Sequence, residues 1–167
     1  RRGTLDEYVV KHPEAIYSPV SEYPEDGHAV WNIECYAAFP CSTQNELTGL
    51  DANNLIKNGC VSVTEGANMP STPEAIATFL KNKTCFGPAK AANAGGVAVS
   101  NFEMSQNASM LKWSFEEVDA KLKETMYAIC HNVAETAKEY GVEGNYVDGA
   151  NIAGFKKVAD IMIAVGI

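Results

Sequence analysis

The sequence predicts an α/β fold in which short strands form a parallel sheet and long helices follow at the carboxy end. Two observations predict it. A short apolar run, a polar loop and a helix succeed one another three times, the pattern of βαβ units. After them, apolar side chains at Phe115, Val118, Leu122, Met126, Ile129, Val133, Ala137 and Tyr140 step by three or four residues, one stripe of a helix about 39 Å long. The 167 residues suit roughly one domain, and a composition of 46% apolar and 20% charged residues is that of a globular chain.

The elements follow in order. Thr4–Lys11 reads as a short helix and Glu14–Tyr17 as a strand before a Pro-rich loop. Ile33–Phe39 is the first apolar run; Pro40 ends it, and a helix near Asp51–Lys57 follows, stopped by Gly59. Cys60–Thr64 is a valine-rich alternating run. Beyond it Ser71 or Thr72 caps a helix whose first turn holds Pro73 and Glu74. Thr84–Phe86 is the third run, and a helix from about Asn93–Gly96 to about Met110 comes after it. The long helix opens on a capping box, Ser114 with Glu117, and Gly141 closes it. A last helix spans Ile152–Ala164, with Gly166 behind it.

Several functions are excluded at once. Thirteen basic against 21 acidic residues give a net charge of −8, and with no Lys/Arg run there is no footprint for nucleic acid or an anionic membrane. No apolar stretch is long enough to span a bilayer. The five cysteines, at 35, 41, 60, 85 and 130, form no C-x-x-C pair, and of the three histidines only His131 lies near one. That pattern fits neither a disulfide framework nor a metal site and points to reduced thiols in a cytoplasmic chain. The start, Arg1-Arg2-Gly3, has neither a methionine nor an apolar signal core. Cys35, Cys60 and Cys85 fall in the strand runs and read as core residues, and His131 as structural. No G-x-G-x-x-G follows any strand, and no lysine–acid pair suited to proton chemistry is present.

In open α/β sheets ligands sit beyond the carboxyl ends of the strands, which directs attention to three loops. Cys41-Ser42-Thr43-Gln44-Asn45-Glu46 offers hydroxyls and amides suited to a ribose or an amide, though such residues also serve as local caps. Gly66-Ala67-Asn68 allows close backbone approach, or forms a tight turn ahead of the next helix. Asn93-Ala94-Gly95-Gly96-Val97 presents backbone N–H groups at a helix start, which favours an anion; its glycines would equally serve tight helix packing. Ser100, about two turns beyond Asn93, falls on the same side of that helix, and Lys90 is either a partner for a carboxylate or a solvated lysine.

In these loops the chain resembles glutamate dehydrogenases. The resemblance rests on Pro40-Cys41-Ser42-Thr43-Gln44-Asn45-Glu46, Glu65-Gly66-Ala67-Asn68-Met69-Pro70 and Lys90-Ala91-Ala92-Asn93-Ala94-Gly95-Gly96-Val97. It continues in order through Ser100-Asn101-Phe102-Glu103-Met104-Ser105-Gln106-Asn107 and Asn145–Phe155, and the ending is most similar to the small hexameric, NADP-preferring members. The resemblance implies a carboxy-terminal part of such an enzyme. Residues 1–110 would be the second half of a Rossmann-like dinucleotide-binding domain. Residues 111–167 would be a helical segment returning toward a substrate domain that this sequence lacks, together with that domain's catalytic lysine and aspartate. Ser42, Thr43 and Gln44 would then line the cofactor cleft, Asn68 would lie near the nicotinamide ribose and Asn93 near the nicotinamide. Val97 would pack on the substrate's carbon chain and Ser100 would bind its side-chain carboxylate. One departure stands out: family members tend to carry an acidic residue where this chain reads Cys35-Tyr36-Ala37.

The implied activity is the reversible oxidative deamination of L-glutamate to 2-oxoglutarate and ammonia, with hydride transfer to NADP, or alternatively NAD, in a cytoplasmic homohexamer. The 167-residue chain alone is expected to be inactive, and no catalytic or metal-ligating residue is assigned in it. The alternatives are a non-catalytic cofactor-binding or assembly fragment and a related leucine, valine or phenylalanine dehydrogenase. Ser100 argues against the latter, since a hydroxyl suits a carboxylate better than an alkyl group.

Overall fold

The computed structural model describes residues 3–25 and 27–166; Arg1 and Arg2, with which the sequence opens, lie outside them. Three strands, β1 (Ala37–Ala38), β2 (Ser62–Thr64) and β3 (Cys85–Gly87), form a parallel sheet in that order. Helix α1 (Leu5–Lys11) precedes the sheet, while α2 (Gly49–Lys57) and α3 (Pro73–Lys81) are the crossovers from β1 to β2 and from β2 to β3. After β3 come a single turn, α4 (Ala89–Ala92), and then α5 (Ala94–Ser109), α6 (Phe115–Glu139) and α7 (Tyr146–Val165).

Strand register separates two faces. Ala38, Val63 and Phe86 stand opposite one another and, because side chains alternate, share one face. All three are buried with Leu47, Ala52, Leu55, Ala75 and Phe79 beneath α2 and α3, and the Phe79 and Phe86 rings stack 5.6 Å apart. Each large apolar side chain fully buried there contributes about 1.5–3 kcal/mol. Trp31 closes the end of this core, its indole N–H donating to the Glu46 carbonyl at 3.1 Å. Thr64, Cys85 and Gly87 belong to the other face. They line an apolar cavity of about 370 Å³ with residues of α6 that include Met126, Ile129, Cys130 and Val133.

This parity corrects one expectation: Cys85 is exposed, because it is the neighbour of Phe86 and points away from the core. Cys60 is buried as expected and Cys35 half-buried, and all five thiols are free. Glu14–Tyr17 is not a strand; it is a turn running into irregular backbone, with Ile16 exposed and no strand alongside among the described residues. The apolar runs were longer than the strands they contain, since Ile33–Phe39 supplies only the two residues of β1. His131 is exposed and stacks on Tyr127.

The helices begin where side chains satisfy their first N–H groups. Thr48 and Asp51 form a capping box at α2, Thr72 caps α3 ahead of Pro73, and Ser114 and Glu117 form the capping box of α6. Helix α7 starts at Tyr146 rather than Ile152, because Asn145 Oδ1 accepts the Asp148 N–H at 3.1 Å. Between α6 and α7 the chain turns through Gly141 (φ +73°) and Gly144 (φ +83°). Gly149 then lets α7 lie against α6: a Cβ there would sit 2.6 Å from the Val133 carbonyl oxygen.

The amino-terminal segment is fastened to α2 at both ends of that helix, by the Asn58 amide on the Asn32 carbonyl at 2.8 Å and by the Asp51 carboxylate. Asp51, fully buried, accepts from His28 N–H at 2.6 Å, the His28 ring at 2.8 Å, Thr48 N–H at 2.8 Å and the Thr48 hydroxyl at 2.7 Å. Burial is the largest single influence and raises the Asp51 pKa. The hydrogen bonds from His28 and Thr48 together outweigh it, holding the carboxyl below its ordinary 3.8.

Candidate functional site

The loops after the three strands converge on one cleft of about 730 Å³. Loop one contributes Cys41, Ser42, Thr43 and Gln44, loop two Gly66, Ala67 and Asn68, and the start of α5 contributes Asn93, Gly96 and Val97.

Loops one and two are bound to each other through the backbone. The Pro40 carbonyl accepts from both Gly66 and Ala67 N–H groups, at 3.0 and 3.1 Å. Asn45, in the left-handed region at φ +57°, donates its N–H to the Met69 carbonyl at 3.0 Å, and Leu47 to that of Pro70 at 2.9 Å. Gly66 lets the loops touch closely, since a Cβ on it would displace the Cys41 thiol. Loop one is braced from within, its Ser42 N–H donating to the Glu46 carboxylate at 2.7 Å. Ser42, Thr43 and Gln44 are left exposed along the rim.

Loops two and three meet through Asn93. Its side-chain amide donates to Asn68 Oδ1 at 2.6 Å and to the Ala67 carbonyl at 3.2 Å, instead of capping the helix it opens. The first N–H groups of α5 therefore have no side-chain cap from Asn93, and a helix start in this condition favours negative charge. The two glycines that follow have separate reasons. A Cβ on Gly95 would press on Leu122 and Met126 of α6 at 3.2 and 3.3 Å, whereas Gly96 lines the cleft with nothing within 4 Å of where its Cβ would be. Helix packing thus accounts for Gly95, and Gly96 faces open space.

Six of the residues singled out by sequence, Ser42, Thr43, Gln44, Asn68, Asn93 and Val97, thus line one cleft. Ser100 is on α5 one turn past Gly96, whose carbonyl its hydroxyl contacts at 3.3 Å; it is exposed but outside the lining. Lys90 reaches Asn151 of α7. Sequence reasoning did not single out Cys41 or Glu65. Glu65 is buried at the end of β2, its two carboxylate oxygens accepting from Ser71 N–H at 3.2 Å and Ala89 N–H at 2.7 Å. An acid placed directly after a strand and before a Gly-Ala-Asn turn was the signal available for it.

The lining contains amides, hydroxyls, one thiol and backbone groups, with no Asp, Glu, His, Lys or Arg among the described residues. The lining therefore offers hydrogen-bonding groups and one thiol, with no carboxylate, imidazole or amine.

A sequence model of the family described as glutamate/leucine/phenylalanine/valine dehydrogenase matches residues 1–166. The chain is 57% identical to an NADP-specific glutamate dehydrogenase of Helicobacter pylori, over all of this chain and 37% of that protein. It is 51% identical to an NAD-specific glutamate dehydrogenase of Bacteroides fragilis, over 84% of this chain and 32% of that protein. Among solved structures, glutamate dehydrogenase of Plasmodium falciparum superposes with a TM-score of 0.89 at 45% identity, over 99% of this chain and 34% of that one. The chain thus spans little more than a third of the length of the curated relatives it matches. With its parallel sheet, ordered loops and nearly complete match, the chain belongs to the glutamate/leucine/phenylalanine/valine dehydrogenase family.

Proposed function

We propose that this chain is the cofactor-and-substrate-cleft segment of an NADP-linked glutamate dehydrogenase, which reversibly converts L-glutamate to 2-oxoglutarate and ammonia. The observation that carries the reading is the convergence of all three strand-end loops on one acid-free cleft, where Asn93 reaches across to Asn68. Residues 1–110 then form the partial dinucleotide-binding domain, and 111–167 the helical segment that packs back toward a substrate domain. The glutamate preference, over leucine, valine or phenylalanine, is supported by the relatives' identities and by the hydroxyl of Ser100. NADP is the preferred cofactor on the same grounds, with NAD as the alternative. Cytoplasmic placement rests on the five free thiols, and a hexamer on the resemblance alone.

The cleft fits such a cofactor. Gly96 leaves backbone accessible, Asn68 and Asn93 supply amide groups to its lining, and the start of α5 favours an anionic group. When bound, the nicotinamide supplies the hydride acceptor. This segment's share is orientation: Asn68 and Asn93 hold one position of the ring and its ribose, and Val97, 64% exposed, offers an apolar wall to the carbon chain beside it. Fixing two reactants in near-attack geometry can supply about 7–11 kcal/mol of the barrier. Proton transfer lies outside this lining, so the isolated chain binds without turning over.

Cys41 provides the test, because it lies in the cleft while Cys85 and Cys130, also exposed, border the opposite cavity. NADPH should slow alkylation of Cys41, read by peptide mass spectrometry, and leave the other two rates unchanged. Equal rates with and without NADPH at saturating concentration would remove the cofactor reading. A second reading, an assembly fragment, is favoured by the edge of β1 that has no partner strand among the described residues. It predicts concentration-dependent association without any NADPH protection.

A further inference from the structure

We propose that Glu65 is a positioning residue for the nicotinamide end of the cleft, acting from behind the lining by fixing loop two and the start of α5 relative to each other. The inference rests on the cofactor reading above and extends it to a residue that does not line the cleft.

Glu65 is 2% exposed, and no basic side chain pairs with it among the described residues. Burying a carboxylate this way is costly unless its oxygens are hydrogen-bonded. Here its oxygens serve two different segments. One accepts from Ser71 N–H, where loop two ends; the other accepts from Ala89 N–H, where α4 begins. Helix α4 has no cap of its own, because its N-cap residue is Pro88. Glu65 provides that cap from a neighbouring strand, and its own N–H donates to the Gly87 carbonyl at 2.9 Å, continuing the β2–β3 ladder.

The consequence lies one turn away. Helix α4 is a single turn, and the residue that ends it is Asn93. Loop two and α4 are therefore joined twice, at the base by Glu65 and at the rim by the Asn93 amide on Asn68 Oδ1 and the Ala67 carbonyl. A hydrogen bond at the rim, exposed to water, does not hold two loops in one geometry by itself; the charge-assisted bonds at the base are the stronger pair. An amide in place of the carboxylate must turn an N–H₂ toward Ser71 N–H or Ala89 N–H, so one of the two segments is released.

The test uses the full-length protein that carries this chain, in two variants. Glu65→Gln alters the acceptor, and Ala89→Pro removes one donor at a helix position where proline is accepted and where Pro88 is already extended at ψ 146°. Affinity is measured for NADPH and for its adenosine bisphosphate half, which lacks the nicotinamide. Each variant is expected to weaken NADPH about tenfold, equivalent to about 1.4 kcal/mol, while binding of the adenosine half changes less than about twofold. Glu65→Asp, which keeps both acceptor oxygens, should recover much of the loss. A general structural defect would weaken both ligands together, and that result overturns the proposal, as would unchanged NADPH affinity in either folded variant. Failure of both variants to fold overturns it as well, since Glu65 then serves the fold and not the cleft. If the unmodified protein binds the adenosine half but gains nothing from the nicotinamide, the cofactor reading itself fails, which the variants alone would not show.

Discussion

Asp51→Asn tests how the amino-terminal segment is held to the sheet, and its cost follows from the geometry. The carboxylate accepts four hydrogen bonds, with His28 N–H on one oxygen and the His28 ring, Thr48 N–H and the Thr48 hydroxyl on the other. Asparagine keeps a single acceptor oxygen and turns the other position into a donor. Whichever way the amide faces, at least one buried backbone N–H then meets another N–H. Hydrogen bonds to a charged group contribute about 1.5–3 kcal/mol each, so losing one and weakening the rest should cost about 2–4 kcal/mol. At about 2–4 °C per kcal/mol for a chain of this size, the melting temperature falls by roughly 4–16 °C. The pH dependence has a fixed sign. Because the folded carboxyl titrates below the ordinary 3.8, its contribution is fully present above that value and is lost as pH falls through the folded pKa. The gap between parent and variant should therefore be constant down to about pH 5 and narrow below 3.8. Urea unfolding followed by tryptophan fluorescence reads it, since Trp31 sits in the adjoining core. A gap under about 0.5 kcal/mol at neutral pH, the range of ordinary surface changes, would refute the reasoning. So would a gap that stays the same on acidification.

Three further outcomes are expected. Gly96→Ala should leave the chain as stable as before or up to about 1 kcal/mol more so, yet weaken NADPH binding, whereas Gly95→Ala should gain nothing because it presses on Leu122 and Met126; paired urea and NADPH titrations separate them. Gly149→Ala should destabilise by about 2 kcal/mol, in the range of overpacked cores, as its methyl meets the Val133 carbonyl, and a denaturant midpoint that does not move would contradict the close α6–α7 contact. With a maleimide at neutral pH, Cys41, Cys85 and Cys130 should label first and Cys60 last, because burial raises the Cys60 thiol's pKa and shields it; early labelling of Cys60 would place it outside the core.

Much of this was legible in the sequence where local chemistry decides structure. The capping box Ser114/Glu117, and Ser71 or Thr72 ahead of Pro73, predict two helix starts correctly because the capping partners lie within one turn, with Thr72 the cap at the second. The three strand-end loops were legible for a similar reason: polar residues after an apolar run mark where parallel strands end. What was illegible depends on pairing. The fate of Cys85 turned on which parity of β3 faces α2 and α3, and a run as short as Thr84–Phe86 carries no alternation to tell. Glu65 was hidden because its partners lie 6 and 24 residues on. The start of α7 was masked by Gly149, which breaks the apolar pattern for the sake of contact with α6. Ser100 was legible in another way: the helical period alone places it two turns beyond Asn93 on α5, with its hydroxyl on the Gly96 carbonyl.

The surface that remains argues for a further property of the isolated chain. Helix α7 carries apolar residues all round it, and Phe155, Ile161 and Ile163 are each more than 60% exposed. A helix of that kind is ordinarily interior, and burying each such side chain would contribute about 1.5–3 kcal/mol. In proteins related over this region, the matched segment is 37% of the whole, which leaves ample chain to cover such a helix. Alone, the 167 residues should satisfy α7 by meeting other copies of themselves. Elution volume on size exclusion should fall as the loaded concentration rises, and charged replacements at Ile161 and Ile163 together should abolish that dependence while leaving Cys41 protection by NADPH intact. A chain that elutes as a monomer at every concentration would mean that water is an adequate neighbour for these side chains, and that the apolar character of α7 serves its packing on α6 alone.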